Sequence, residues 1–516
     1  MMKRMLVLLV AIVLSGIASL PLSAASTNAR IAVEIGGQKL GADAYVVGGR
    51  TLVPLRAIFE KLEAKVDWAS KTQTVTATKG STVIVLRVND VAASVNQKGV
   101  TLDVPPMVID QSVFVPLRFV SEALGATVGV DNARGVITIQ TSGNVCNGGQ
   151  VHSGTINPAG ETWTACGSPH FVKDDFVIGG LNSPVLTIEA GAVIRFEKDA
   201  SLRVGEFEPG GLVIQGTAAK PVVLTADSAG PKPGYWKGIY FGEAALLDRA
   251  SINGARIEYA GGDYGAVHLG AADMELTLTL KDTEIKNSLF AGIRLAGDAR
   301  LTEKSGNIMI SGTAAGMYGG GFPIITDLPG SNLIPQGTYT GNAIDAIRVT
   351  SSKGTYDILT RSTTWRNVGV PYDSDISITI EGPANPVLTI EPGITTLWGP
   401  ETFLEIANSY QGRLEAVGTR EKPIVFSGSV KKKSGWMGIV FGDRTEFGSI
   451  QLQHTVISHA LYGVKMLEDL GPIVQDTSFK NNSIGVFMPL YEEGQTDFRT
   501  GLGNTFEGND QDQNIE

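Results

Sequence analysis

Pro184-Val185-Leu186-Thr187-Ile188-Glu189-Ala190-Gly191 returns 202 residues later as Pro386-Val387-Leu388-Thr389-Ile390-Glu391-Pro392-Gly393. The offset of 202 also carries Gly216-Thr217 and Lys220-Pro221-Val222 onto Gly418-Thr419 and Lys422-Pro423-Ile424. Upstream it maps Trp163 and Gly167-Ser168-Pro169 onto Trp365 and Gly369-Val370-Pro371. Downstream, Trp236-Lys237-Gly238-Ile239 meets Trp436-Met437-Gly438-Ile439 at 200, after a small loop deletion. Self-similarity of alternating, strand-like segments at a fixed offset is the mark of a repeat architecture. From about 150 onward, runs such as Gly211-Leu212-Val213-Ile214 and Gly238-Ile239-Tyr240-Phe241 follow one another with short Gly, Asn or Asp turns. No helical period interrupts them, so turns must make the crossovers. A parallel coil of strands, rising ~4.8 Å per turn, buries such segments and closes their backbone hydrogen bonds between coils. These patterns point to a mostly β fold class: a small α+β N-terminal domain and a duplicated parallel β-coil.

Composition sets the compartment and removes some partners. Lys3 and Arg4, an apolar stretch from Met5 to Ala18 and the small residues Ser23-Ala24-Ala25 read as a secretory signal over 1–25. The apolar run is short for a span, so no membrane contact is expected once the signal is cleaved. Removing Lys3 and Arg4 takes the formal charge from −10 to −12, which argues against nucleic acid because that partner needs a basic face. Cys146 and Cys166 are the two cysteines, and in an exported chain they are expected to form one disulfide. The alternative is two free thiols.

Residues 31–140 hold a smaller duplication. Val53-Pro54-Leu55-Arg56 and Glu60 return as Val115-Pro116-Leu117-Arg118 and Glu122. Each Pro is expected to open a helix where its missing N–H costs nothing, placing Arg56 with Glu60 and Arg118 with Glu122 on one helix face. Gly49 to Arg56, Phe59-Glu60, Ala64-Lys65-Val66-Asp67-Trp68 and the second Pro-Leu-Arg copy resemble the copper amine oxidase N-terminal-like domain. That domain carries neither copper nor quinone, so the resemblance implies a module of exported, mostly Gram-positive proteins, plausible for envelope association, without metal or cofactor. The five histidines, at 152, 170, 268, 454 and 459, lie outside it without ligand spacing. Arg56 and Arg118 either bind an anionic glycan or, with their Glu partners, fix the helices.

Leu-Thr-Ile-Glu-Pro-Gly at 388–393, Gly-Thr at 418 with Pro423-Ile424, and Gly-Trp-x-Gly-Ile at 435–439 resemble bacterial right-handed parallel β-helix proteins. The expected order is a boundary segment at 141–152, a first copy at 153–350 and a second at 351–516. At ~20–25 residues per coil this gives roughly fifteen coils and a rod on the order of 70 Å. Asn287 and Asn481 are expected in turn ladders. The Gly- and Pro-rich stretch 312–342 is the seam, expected to loop out.

The resemblance implies fold more than chemistry. Many β-helices are polysaccharide lyases or hydrolases, whose carboxylates converge on one face. Asp373 and Asp375 are the pair that would share a strand face, and they also read as an ordinary polar turn. Asp174 and Asp175 point to opposite faces. The matched Trp236 and Trp436 could stack on sugar rings or pack in the core. Trp398, aligned with Ala200 rather than with a tryptophan, is the more individual surface candidate. The expected function is an exported, non-catalytic, envelope-associated binding or structural protein contacting cell-wall or extracellular polysaccharide. The alternatives are a polysaccharide lyase or glycoside hydrolase, and a passive surface-layer or stalk component.

Overall fold

The computed structural model describes residues 30–515 except 36–37, 42–43, 48, 63, 80–81, 111, 125, 132–135, 142–148, 263, 271–274, 317–318, 447, 467–468, 472 and 489–495. The signal segment and Cys146 therefore lie outside the described residues. The chain divides into two compact units, Met1–Val145 and Cys146–Glu516.

In the first unit the inner duplication becomes a local two-fold. Strand Arg50–Pro54 runs antiparallel to Ser112–Pro116, with Val53 directly opposite Val115, so matched residues face each other across the pair. Each strand runs straight into a helix, Leu55–Lys61 and Leu117–Ala123. Pro54 stands just before its helix with φ −59°, one position earlier than the sequence pattern suggests. Leu55, Ile58 and Phe59 of the first helix meet Leu117 and Val120 of the second in one core. Arg56 and Glu60 lie 3.9 Å apart and exposed on the helix surface. Glu122 follows Arg118 on the second helix, but its side chain lies outside the described residues. A separate five-stranded meander, Lys65–Ala69 to Lys98–Thr101, completes the unit.

The second unit is a parallel β-solenoid of about 13 turns. Its clearest ladder stacks Ser201–Val204, Gly238–Phe241, Val267–Gly270, Ala291–Ala296, Phe322–Asp327, Ile347–Thr350, Tyr372–Ser374 and Thr395–Trp398 in register. Coil length varies, from 38 residues between Val213 and Ser251 to 20 between Gln150 and His170, which is why there are fewer coils than a fixed short repeat implies. The seam does not loop out. All six residues of Phe322–Asp327 are buried, and the strand takes its rung between Ala291–Ala296 and Ile347–Thr350. Its outward Phe322 is roofed by the Arg348 guanidinium, 4.3 Å from the ring centre.

The duplication reaches backbone conformation. Positive φ recurs at Ser183 and Asn385 (52° and 48°), Asp199 and Glu401 (64° and 64°), and Gly238 and Gly438 (111° and 111°). Tyr259 and His459 share 61°. Asn287 and Asn481, at 53° and 52°, occupy the expected left-handed turn columns, where Asn is tolerated because its short polar side chain bonds locally. Yet the copies are not in phase with the coil. Thr395–Trp398 continues the ladder of Ser201–Val204, while its counterpart Val193–Phe196 stacks in a different ladder with Val222–Ala226. The second copy is thus turned one face round the axis relative to the first.

Candidate functional site

The outward face of the main ladder is where the solenoid concentrates chemistry. In each apolar-x-apolar strand the middle residue points out, because side chains alternate. Stacking then lines up Arg203, Tyr240, His268, Arg294, Ile325, Arg348 and Asp373 in one column.

At the start of this column lies a groove of about 290 Å³ lined by Ser201, Arg203, Lys237, Tyr240, Tyr264 and His268. The Arg203 guanidinium is held two-pronged by Glu206, which with its hydrogen bonds raises the Arg203 pKa and fixes the charge. It also lies 5.3 Å from the Tyr240 ring centre. Asp175 accepts from the Ser201 hydroxyl at 2.7 Å, with Lys237 Nζ at 3.7 Å and Arg203 at 3.9 Å. The His268 ring sits 5.2 Å from Tyr240 and 4.9 Å from Tyr264. Burial lowers the His268 pKa to about 4, with the Arg294 charge adding to it and Asp327 opposing. The imidazole is therefore neutral at physiological pH. Burial, and then Glu206, push the Tyr240 phenol up, so it stays protonated. Tyr264 is 57% exposed and gives the groove a free ring face.

Gly238 makes this floor possible. Its φ of 111° and a would-be Cβ 2.6 Å from the Gly265 carbonyl oxygen exclude a side chain, so the backbone of the next coil packs directly against it beneath the groove.

Further along the column Arg294 and Asp327 form a pair at 2.7 Å, both largely buried. Asp327 also accepts the backbone N–H of Gly297 at 2.8 Å and of Ser352 at 3.1 Å. These bonds tie three coils together. Asp373 and Asp375 converge on one partner, Arg348, at 3.3 and 2.7 Å. Burial pushes the Asp373 carboxyl up, with Arg348 opposing and the Asp375 charge adding. Asp373 stands five rungs from Tyr240, about 24 Å at the strand spacing. The carboxylate pair and the aromatic groove cannot act on one bond.

The three tryptophans are not a binding surface. Trp236, Trp398 and Trp436 are each 0% exposed. Trp236 stacks on Phe196 at 3.8 Å, and Trp436 stacks on Trp398 at 5.4 Å. The first-copy partner of Trp398 is therefore Phe196, which the offset of 202 gives, and not Ala200. Their indole N–H groups are satisfied inside: Trp236 by the Glu258 carbonyl at 2.8 Å, Trp436 by the matched Ser458 carbonyl at 3.0 Å. Large aromatic rings of both copies are enclosed in the core of the coil, and burial outweighs any surface role.

The remaining histidines do not line the groove. His170 is buried against Trp163 and approaches the Thr164 carbonyl at 2.9 Å; in the second copy the Tyr372 hydroxyl donates to the matched Arg366 carbonyl at 3.0 Å. His152 lies 3.1 Å from His170 and 3.6 Å from Glu161. His454 and His459 occupy positive-φ turns. Among the described residues no three His, Cys, Asp or Glu side chains gather as a metal site.

Two family models match the chain. A copper amine oxidase N-terminal domain covers residues 34–139. A pectate-lyase-like β-helix domain covers residues 177–273. The second match spans Arg203, Lys237, Tyr240, Tyr264 and His268, so the aromatic groove lies within it, whereas Arg348, Asp373 and Asp375 lie beyond. A β-helix of this kind is consistent with polysaccharide contact. No curated protein matches the chain. Among the described residues no helix is long and apolar enough to cross a membrane.

The groove was readable in principle. Arg203, Tyr240, His268 and Arg294 are each the polar middle of an apolar triplet, a signal independent of the tryptophans. Tyr264 follows no strand pattern and only the structure brings it over His268.

Proposed function

We propose that this chain is an exported, non-catalytic protein that binds a cell-wall or extracellular polysaccharide through the groove at Tyr240, Tyr264 and His268. The observation that carries the reading is an exposed tyrosine face above a neutral, aromatic-lined floor, bordered by Arg203, Lys237, Asp175 and Ser201. Sugar rings offer apolar faces for stacking and equatorial hydroxyls for charged acceptors and donors, and this groove supplies both kinds of contact. The charged groups are already paired, which fixes their positions before a ligand arrives. Export rests on the basic start, apolar stretch and small-residue end of residues 1–25.

The test is retention of the mature chain on insoluble wall polysaccharide, with the released sugar assayed in parallel. Tyr264→Ala should lower the bound fraction about fivefold, the scale of one lost stacking contact, without changing the unfolding midpoint. Unchanged retention would remove the groove from the reading. New reducing ends or unsaturated uronates, abolished by Asp373→Ala or Arg348→Ala, would replace binding with the lyase or hydrolase alternative.

A further inference from the structure

A second groove, of about 440 Å³, lies at a corner of the second copy, where the chain turns out of strands Ser377–Ile380, Phe403–Ile406 and Trp436–Phe441. Its wall is Tyr410, with Gln411, Asp443, Arg444 and Glu446 around it. Tyr410 is 57% exposed, yet its loop is locked from beneath. Glu381, only 6% exposed, accepts the backbone N–H of Ser409 at 2.6 Å and of Tyr410 at 3.2 Å through the same carboxylate oxygen. Ala407 makes the turn at φ 56°, and the Gln411 amide donates to Glu446. A buried carboxylate spent on two amides of a loop tip holds the tip rigid, so the ring is presented at low entropic cost to a ligand.

The charges beside the ring are available. Among the described residues neither Asp443 nor the Arg444 side chain has a hydrogen-bond or ion-pair partner, while the Arg444 backbone N–H is fixed to the Ala407 carbonyl at 2.8 Å. The corresponding corner of the first copy also carries an exposed ring, Phe207 at 84%, but there the adjacent Glu206 turns back onto Arg203. Open charges and a pinned ring coincide in the second copy.

We infer that the Tyr410 corner is a second saccharide site, taking neutral pyranose units. Tyr410 stacks on the sugar ring, while Asp443 and Arg444 bond to its hydroxyls. Asp443, Glu446 and the underlying Glu381 outnumber the single Arg444, so a uronate would meet net negative charge at close range. The site does not depend on the Tyr264 groove, and because the second copy is turned one face round, the two face different directions on the solenoid.

The experiment titrates the full mature chain, calorimetrically, with cellohexaose, the hexamer of N-acetylglucosamine and the hexamer of galacturonate. Four proteins are compared: the parent, Tyr264→Ala, Tyr410→Ala and Tyr410→Phe. At least one neutral hexamer should bind the Tyr264→Ala protein. Tyr410→Ala should weaken that binding about fivefold or more, Tyr410→Phe should restore it, and the galacturonate hexamer should give no Tyr410-dependent heat. Parent-like binding by Tyr410→Ala, or no binding of either neutral hexamer, overturns the site. Loss of all binding in Tyr264→Ala alone overturns it too while leaving the first groove standing. Loss in Tyr410→Ala alone supports this site and counts against the first groove.

Discussion

Trp436 and His268 show how one residue's surroundings decide between surface and core. The Trp436 ring is wholly enclosed, stacked on Trp398 and bonded to the Ser458 carbonyl, so truncation leaves a cavity and an unpaired carbonyl. Trp436→Ala should cost about 3–5 kcal/mol in denaturant unfolding. An unchanged midpoint would return the ring to the surface. His268 gives a pH signature. Its folded pKa is near 4 against 6.5 for the free side chain, so the unfolded chain binds the proton more readily. Its contribution to stability is therefore complete above about pH 6.5 and is lost as pH falls toward 4, on the order of 3 kcal/mol. His268→Gln should flatten the unfolding free energy over that window relative to the parent. Identical slopes would mean that the imidazole is hydrated or charged in the fold.

At the scale of strands and turns, sequence reading succeeded where local pattern and tertiary demand agree. Val185 to Glu189 and Val387 to Ile390 are strands because alternation places Leu186, Ile188, Leu388 and Ile390 inside, and each pairs in register with the next coil. Asn287 and Asn481 were readable because only a few residue types accept left-handed turns. The seam misleads because its Gly and Pro residues resemble a loop, while Phe322 to Asp327 is kept inside by coils on either side. Trp236 and Trp436 mislead for a different reason: repetition shows that a residue matters to both copies but carries no information about which side of the strand it faces, and beside Trp436 the register shifts at Gly438. Gly438 makes the point testable. A Cβ there would fall 1.6 Å from the Tyr462 carbonyl oxygen at φ 111°. Gly438→Ala should destabilise by more than about 3 kcal/mol, beyond the strain of φ alone, as read by a thermal melt. A neutral substitution would show that the coil can part at this rung.

For the whole molecule, two kinds of construction share one chain. The first unit gains its core by pairing two strand–helix copies about a local two-fold, and the second by stacking coils so that one outward column runs from Arg203 to Asp373. Domain order and the solenoid were legible in sequence through periodicity. The candidate groove was legible only as the polar centres of apolar triplets at Arg203, Tyr240 and His268, since it assembles from residues of separate coils and from Tyr264 outside any strand. Cys166 lies half-buried in the turn before His170, at the beginning of the solenoid. A bond to Cys146 would close a loop of about twenty residues and stabilise the first coils by roughly 3 kcal/mol. Intact mass after alkylation without reductant should show no alkylated thiol; two added groups would exclude the bond. Under the proposed function the outward column binds glycan at its Tyr240 end. Hydrogen exchange of the full mature chain, with and without soluble fragments of wall polysaccharide, tests it most directly. Exchange should slow in peptides covering 236–242 and 262–270, with no change around 372–376. Protection confined to 346–376, or none anywhere on the solenoid, would contradict it.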